Sequence, residues 1–128
     1  MKGALIVSRD AELIAKAAAA VERVGGCVVD WSDADHLMLC DPSSGHYYFI
    51  YGSRFAFDEE GYELSPRPGV VLPDGASSTT YVVECRSETL FAQVSRALAQ
   101  LAEGGTWVVD GNSVGWDAVS VDPDAVQL

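Results

Sequence analysis

Basic residues are scarce in this chain: 8 Lys and Arg stand against 19 Asp and Glu, which gives 128 residues a formal net charge of −11. Such a charge repels the phosphates of nucleic acids and of anionic membranes, and it attracts basic surfaces. The sequence also lacks the basic, aromatic-bearing platforms on which nucleic acids stack. We therefore expect a basic protein partner, and neither a nucleic acid nor a membrane.

The motifs of common catalytic and nucleotide-binding sites are missing as well. Neither G-x-x-x-x-G-K-[ST] nor G-x-G-x-x-G occurs, so no phosphate-binding loop is predicted. His46 lies near Asp41 and two serines, but catalytic triads join distant segments, and this closeness indicates a polar turn. His36 follows Asp33 and Asp35, yet metal sites need three or four ligands at defined spacing. We predict no catalytic residue, metal or cofactor, and expect the protein not to be an enzyme.

Cysteines are few, and no long apolar run is present. Cys27, Cys40 and Cys85 fall in predicted strands without C-x-x-C spacing, which favours free, mostly buried thiols in a reducing compartment. A disulfide is the less favoured alternative. No apolar run approaches the roughly 18 residues of a membrane span. The N-terminal segment has one Lys and a short apolar run followed by charges, unlike a signal peptide. We expect a cytoplasmic protein.

What the chain does contain is 48% hydrophobic residues, enough for the core of one domain. Two stretches, about 3–52 and 79–118, repeat the order strand, helix, Gly-Gly, strand, strand, and residues 53–78 read as an insertion. In this alignment Gly25-Gly26 matches Gly104-Gly105, and Val28-Val29-Asp30 matches Val108-Val109-Asp110. The pattern predicts an α+β fold, a two-layer sandwich of ferredoxin-like, pseudo-duplicated βαββ halves with both helices on one face.

Apolar periodicity, capping residues and turn signals give the element boundaries. Helices are predicted from Asp10 to Val24 and from a Ser87 cap to Glu103. Strands are predicted over 4–7, 27–30, 37–40, 47–52, 79–85, 106–110 and 114–118. A further hairpin is expected within the insertion, over 54–57 and 61–64, and Asp110-Gly111 predicts a tight hairpin turn.

One face of the sheet should lie away from the helices. In the strand over residues 47–52, Tyr48 and Ile50 point one way. Tyr47, Phe49 and Tyr51 point the other way. One set must face the helices, and the other faces water, a partner or the folded-back insertion. Exposed aromatic side chains on a sheet indicate an interface.

The excess acid is concentrated after each predicted helix. Residues 30–63 carry −7 and residues 97–128 carry −5, while the remaining stretches nearly balance. Asp30 and Asp110 are expected at the ends of equivalent strands, although an Asp-Gly turn is an alternative reason for Asp110. Gathered acids and nearby tryptophans would form a partner-binding surface, and the alternative is that the charge serves only solubility. The candidate residues are Asp30, Trp31, Asp33, Asp35, Tyr48, Asp58, Glu59, Glu60, Asp110, Trp116 and Asp117.

The C-terminal stretch CRSETLFAQVSRALAQLAEGGTWVVDGNSVGWDA resembles the ends of small acidic bacterial immunity proteins of polymorphic toxin systems. A helix followed by WVVDGN and a second tryptophan, Trp116, carries the resemblance, over about a quarter of the chain. The resemblance implies a stoichiometric, non-catalytic inhibitor of a basic toxin, a nuclease being one such class. A homodimeric small-ligand-binding module that uses the open sheet face is the alternative, and an enzyme with an unrecognised site is the third hypothesis. Both a monomer and a homodimer remain open.

The periodicity of the second helix generates a first prediction. Leu98 lies on its apolar stripe, whereas Gln100 lies on its polar face. Leu98→Ala should lower the free energy of unfolding by about 2–5 kcal/mol, because it removes buried methyl groups and leaves a cavity. Gln100→Ala is the matched control and should change little. Denaturant unfolding measures both, and equal small effects would show that the helix is rotated from this assignment.

Overall fold

The computed structural model describes residues 3–32, 35–58 and 63–128, which form an eight-stranded sheet with two helices. Two short 3-10 helices, Gly75–Ser77 and Ala118–Ser120, complete the regular structure of these ranges. The elements in chain order are β1 (Gly3–Ser8), α1 (Leu13–Arg23), β2 (Cys27–Ser32), β3 (His36–Cys40), β4 (Tyr47–Gly52), β5 (Ser65–Pro66), β6 (Thr79–Cys85), α2 (Glu88–Leu101), β7 (Thr106–Val109) and β8 (Val114–Asp117).

The sheet is mixed, and its strand order is β2-β3-β4-β6-β1-β7-β8-β5. Every pairing is antiparallel except that of β5 with β8, which is parallel. The predicted α+β class and mostly antiparallel sheet are therefore confirmed. β1 pairs with β6 on one side and with β7 on the other. The two strands of the β6-α2-β7 unit therefore lie on either side of β1. None of the helices in the described ranges is both long and apolar enough to cross a membrane.

Both helices pack on the same face of the sheet, as the sequence predicts. Alternation along β1 turns Ile6 to this face. Helical spacing turns Leu13 of α1 and Leu98 of α2 towards it, and all three side chains are fully buried in one core. Ser87 caps α2, because its hydroxyl oxygen accepts from the backbone N–H of Leu90 at 3.2 Å. The α1 boundary is later than predicted, since the chain from Asp10 to Glu12 forms a turn before the helix begins.

The insertion covers part of the opposite face. Phe57, which is fully buried, packs there with Val7 of β1 and Val109 of β7. Leu64 and Leu72 pack against the same cluster. The predicted hairpin within the insertion is not formed over residues 54–58 and 63–64, and Ser65–Pro66 instead pairs with β8. The insertion therefore extends the sheet by one short parallel strand and shields its β1–β7 half.

The three thiols differ in accessibility. Cys85 of β6 is buried as predicted, and burial raises its pKa, although backbone hydrogen bonds act in the opposite direction. Cys27 is exposed, which corrects the expectation of a buried thiol. The physical reason is that β2 is the outermost strand of the sheet, with no neighbouring strand on its outer side within the described residues.

Asp10 ties the start of α1 to the end of α2. Its buried carboxylate accepts the backbone N–H of Glu12 at 2.9 Å and that of Glu103 at 3.0 Å, and it pairs with the Lys16 ammonium group. Burial raises the pKa of this carboxyl group, but the hydrogen bonds and the charge of Lys16 outweigh it, so the net pKa lies below its ordinary value. The ionised form is therefore the one that the fold stabilises.

The pKa of Asp10 predicts how stability depends on pH. A carboxyl group with a lowered pKa in the folded state stabilises the protein above its unfolded pKa of about 3.9, and this contribution is lost as pH falls through the folded value. Asp10→Asn should lower the free energy of unfolding at pH 7 by about 1–3 kcal/mol. The difference from wild type should shrink below about pH 4. Denaturant unfolding at both pH values measures this.

Asp35→Asn, at an exposed carboxylate, is the matched control. It should leave the stability at neutral pH nearly unchanged. A constant difference between Asp10→Asn and wild type at every pH would contradict the assigned role of the Asp10 charge.

Candidate interaction site

The β2–β4 half of the sheet presents an aromatic and acidic surface away from the helices. Tyr48 and Ile50 of β4 turn to the helices, so their neighbours Phe49 and Tyr51 turn to the opposite face, where they are half-buried. In β6, the same alternation places Glu84 beside Phe49. The sequence prediction that one set of β4 aromatics faces away from the core is therefore confirmed, and the insertion covers the other half of this face.

Five side chains form a connected set that we call the open-face cluster: Asp30, His36, Phe49, Tyr51 and Glu84. The His36 Nε2 atom lies 2.9 Å from Asp30 Oδ2. The His36 ring meets the Phe49 ring edge-on with centroids 5.9 Å apart, and the Phe49 and Tyr51 rings are 5.0 Å apart. The Tyr51 hydroxyl donates to Glu84 Oε1 at 3.2 Å. Ring contacts and hydrogen bonds thus hold the aromatic side chains in place on an accessible face.

Electrostatics within the cluster favour a neutral Tyr51. Partial burial raises the pKa of its hydroxyl group, and the negative charge of Glu84 and the hydrogen bond to it raise it further. Tyr51 therefore remains a hydrogen-bond donor over the ordinary pH range. This geometry suits recognition of a partner, in which an aromatic body supplies contact area and a polar tip supplies direction.

A groove runs along one side of the cluster. Its volume is about 590 Å³ and its walls are Met38, Gly45, His46, Tyr47, Phe49, Glu84, Cys85 and Arg86. Glu84 also lines a second depression of about 370 Å³, between β1, β6 and the end of β7. Depressions therefore lie on both sides of Glu84.

The outer strand β2 adds exposed apolar side chains along the sheet edge. Val28 and Trp31 lie on the helix side of the sheet, because they pair with the buried Leu39 and Leu37. Val28 is 44% exposed, Val29 is 54% exposed and Trp31 is 44% exposed. The pairing of β2 with β3 shifts register between Val28 and Asp30, so an extra residue is accommodated there. Asp30 lies between these apolar residues, and its side chain is 71% exposed.

The chain segment that contains β2, β3 and β4 carries acidic residues and no Lys or Arg. Residues 24–53 contain no Lys or Arg, and their acids are Asp30, Asp33, Asp35 and Asp41. Asp30 and Asp35 are exposed, whereas Asp33 lies outside the described residues. The Asp41 carboxylate accepts the hydroxyl groups of Ser43 and Ser44, each at 2.8 Å, and these hydrogen bonds lower its pKa. Asp41 and its serines therefore form a polar turn.

Tyr48 is not a surface residue. It is fully buried under the helices, where its ring stacks on Phe91 of α2 with centroids 6.2 Å apart. Burial strongly raises the pKa of its hydroxyl group, and the neighbouring Ser95 lowers that pKa by a smaller amount. The sequence placed Tyr48 among the partner-binding residues, and the structure corrects this: the helices cover the side of β4 on which it lies.

Asp110 also proves to be a structural residue. It is 5% exposed, and its carboxylate accepts the backbone N–H groups of Asn112, Val114 and Gln127 and the indole N–H of Trp116, at distances of 2.9–3.2 Å. These bonds close the β7–β8 hairpin and attach the C-terminal segment to it. The Asp-Gly turn interpretation is therefore the better one, and a buried, fully occupied carboxylate offers no charge to a partner.

The hairpin turn differs in detail from a simple Asp-Gly turn. The left-handed residue is Ser113, with φ of 62°, and not Gly111. Gly111 is needed for another reason, since a Cβ there would lie 3.1 Å from the backbone of Gln127 and Leu128. The close approach of the C-terminal segment explains the glycine.

Trp116 and Asp117 lie on β8, at the other end of the sheet. Trp116 is 3% exposed, and the Arg67 guanidinium group lies 4.0 Å from the ring centroid. Trp116 is therefore a core residue and not an exposed anchor, which corrects the sequence prediction. Asp117 is half-buried beside the 3-10 helix that follows β8.

The insertion contributes one described candidate. Asp58 is exposed, and its Oδ2 atom accepts the backbone N–H of Gly75 at 3.0 Å, which links the two ends of the insertion. Glu59 and Glu60 lie outside the described residues. The predicted gathering of all these acids does not occur: β2 and β8 are six strand steps apart, or roughly 30 Å.

The structure thus keeps Asp30, Trp31 and Asp35 on the β2–β3 hairpin, with Asp30 and Trp31 on opposite faces, and separates them from Asp110, Trp116 and Asp117. It adds His36, Phe49, Tyr51 and Glu84, which are not among the candidates predicted from the sequence. Alternation along β4 could have identified Phe49, but the pairing of Phe49 with Glu84 joins distant segments. Within the described residues, no three His, Cys, Asp or Glu side chains are arranged to hold a metal ion.

A scan against protein-family models and searches of curated proteins and solved structures found no match to this chain. The site therefore has to be interpreted from its own geometry and charge.

The Asp110 hydrogen bonds generate a stability prediction. Asp110→Ala should lower the free energy of unfolding by at least about 2 kcal/mol, because it leaves buried N–H groups without an acceptor. The near-ultraviolet circular dichroism of Trp116 should weaken at the same time. Asp124→Ala, at an exposed position, is the control and should alter neither quantity. Wild-type stability in Asp110→Ala would contradict the structural role.

Proposed function

We propose that this chain is a non-catalytic binding protein that blocks a basic protein partner, in the manner of an immunity protein acting on a toxin. The proposed contact surface consists of strand β2 and the adjoining open-face cluster. The observation that supports it most directly is the combination, on one outer strand, of exposed apolar side chains with an exposed carboxylate. Trp31 and Val29 lie on either side of Asp30, in a stretch that contains no Lys or Arg.

Strand β2 is suited to accept a further strand. It is one of the two sheet edges, and within the described residues only β3 pairs with it. The opposite edge, β5, is two residues long and contains Pro66, the kind of edge that resists pairing. β2 is six residues long and has neither Pro nor Lys. An extended segment of the partner could therefore add to this edge by main-chain hydrogen bonds.

Charge complementarity favours a basic occupant over a second copy of this chain. Pairing β2 with itself would bring two chains of net charge −11 together and place their Asp30 carboxylates near each other. Like charges on adjacent strands are destabilising. Lys or Arg side chains on the incoming segment would instead meet Asp30 and Asp35, and such complementarity accelerates encounter at low salt.

Aromatic residues supply the apolar part of the proposed contact. Trp31 is half-exposed at the edge, and Phe49 and Tyr51 are held by the contacts of the open-face cluster. Interface energy commonly resides in a few aromatic and arginine side chains, while flanking charges steer association. We assign Trp31 the anchoring role and the two aspartates the steering role.

A homodimeric module that binds a small ligand is the second candidate. The groove of about 590 Å³ supports it, because apolar walls from Met38 and Phe49 converge with the polar groups of Glu84 and Arg86. Ligand-dependent thermal stabilisation would favour this function over the first. A protein-binding role needs no such stabilisation.

We also propose that the two halves are copies of one ferredoxin-like βαββ unit. Two interleaved β–α–β units support the idea, since β6-α2-β7 encloses β1 while β1-α1-β2 encloses β6. The additional strands β3 and β4 lie between β2 and β6, so the halves differ in their edges.

The test of the proposed function uses a purified basic toxin domain as the probe, chosen first from the genes that flank this one. Association and dissociation rates are measured at about 50 and about 500 mM salt. Asp30→Asn with Asp35→Asn should slow association about tenfold at low salt and leave dissociation nearly unchanged. Trp31→Ala should accelerate dissociation about tenfold or more, because it removes an apolar anchor.

Matched controls lie at the other end of the sheet. Asp122→Asn removes an exposed acid and Val119→Ala trims an exposed apolar residue, and both should bind as wild type does. Binding that ignores salt and all three β2 substitutions would rule out this surface. No binding at low salt by the folded wild-type protein would reject the inhibitor function for this partner.

A further inference from the structure

We propose that Cys27 and Cys40 form a redox-active dithiol that a low-molecular-weight disulfide oxidises reversibly to an intramolecular disulfide. This inference does not depend on the proposed function. Twelve residues lie between the two cysteines in the sequence, with no C-x-x-C spacing, so only the strand pairing brings them together.

The register of the sheet places the two cysteines side by side. Cys27 of β2 and Cys40 of β3 are direct cross-strand partners, and directly paired residues project from the same face. That face is the one away from the helices, because Cys40 alternates with the buried Leu39. Cys27 is exposed and Cys40 is half-buried, so a small disulfide can reach the pair.

The backbone pairing sets the distance between them. The N–H of Asp41 donates to the carbonyl of His46 at 2.9 Å, so the backbone groups of its neighbour Cys40 point towards β2. Cys27 and Cys40 are therefore a hydrogen-bonded pair, for which the Cα separation is about 5.5 Å. Disulfides most often span about 5.5–6 Å between Cα atoms. The Cβ atoms must approach from about 5.5 Å to about 3.8 Å.

Strand β2 is placed to make this small movement. It is an outer strand, it follows the helix end at Gly25, where φ is +74°, and its register is irregular just beyond Val28. The approach still strains the pairing, and strain makes a disulfide easier to reduce. The disulfide should therefore be readily reduced again, unlike a structural disulfide.

The reaction is a pair of thiol–disulfide exchanges with oxidised glutathione as the probe. The Cys27 thiolate attacks one glutathione sulfur, forms a mixed disulfide and expels one glutathione thiolate. The Cys40 thiolate then attacks the Cys27 sulfur, forms the intramolecular bond and expels the second. The protein loses two electrons and two thiol protons. The glutathione disulfide gains the electrons, and the two released glutathiones take up the protons.

Cys85 provides an internal control. It lies on the helix-covered face of β6 and is buried, and burial raises its pKa, so both access and thiolate formation are disfavoured. The folded protein should therefore distinguish one reactive pair from one inert thiol.

The experiment treats the folded full chain with oxidised glutathione, alkylates the remaining thiols and maps the peptides by mass spectrometry. We expect a Cys27–Cys40 cross-link with a mass decrease of about 2 Da relative to the dithiol, complete reversal by dithiothreitol, and an alkylated Cys85. Cys40→Ser should stop at a stable glutathione adduct on Cys27. Cys27→Ser should yield no intramolecular bond.

Three results would overturn the proposal. One is a wild-type protein that accumulates stable glutathione adducts on Cys27 without a cross-link. Another is a Cys27–Cys27 dimer on a non-reducing gel as the main product. The last is an absence of reaction while circular dichroism and the alkylation of denatured protein show that the chain is folded and its thiols are intact.

Discussion

The burial of β1 on both faces is the constraint on which the structure depends. Ile6 and Val7 are consecutive residues that point to opposite faces, and both are fully buried. The helices cover Ile6, so a second layer is required over Val7, and Phe57 from the insertion provides it. Within residues 3–32, 35–58 and 63–128, no such layer covers the β2–β4 half of the sheet. That half carries the aromatic and acidic side chains proposed for recognition.

The acidic residues of the chain have two different roles, which the net charge alone does not distinguish. Asp10 and Asp110 are buried, and each holds several backbone N–H groups that would otherwise lack acceptors. Their role is structural, because a carboxylate with occupied lone pairs and little exposure contributes little field outside the protein. Asp30 and Asp35 are exposed on a stretch without Lys or Arg. Only such carboxylates can steer a partner.

Both proposals, the partner-binding surface and the Cys27–Cys40 dithiol, involve strand β2. Its outer position leaves its backbone edge and its apolar side chains accessible, and the same position exposes Cys27. A core strand could not combine these properties, since burial would both exclude a partner and disfavour the thiolate. At this edge of the sheet the side chains are less closely packed, so the backbone groups and the Cys27 thiol are accessible to other molecules.

Local features could be predicted from the sequence because their causes lie within a few residues. Apolar spacing placed Leu98 on the buried side of α2, Ser87 marked its start, and Asp110-Gly111 marked the β7–β8 hairpin. Alternation showed that Tyr48 and Phe49 face opposite ways. It could not show which of them faces the helices.

Tertiary structure decided the rest. It made β2 an edge, paired Cys27 with Cys40, buried Asp110 and Trp116, and placed the two acidic stretches at opposite ends of the sheet. Each of these outcomes depends on strand order and register, which are set by contacts between residues far apart in the chain. Hydrophobic periodicity records only which side of an element is apolar, so it carries no information on which strands become neighbours.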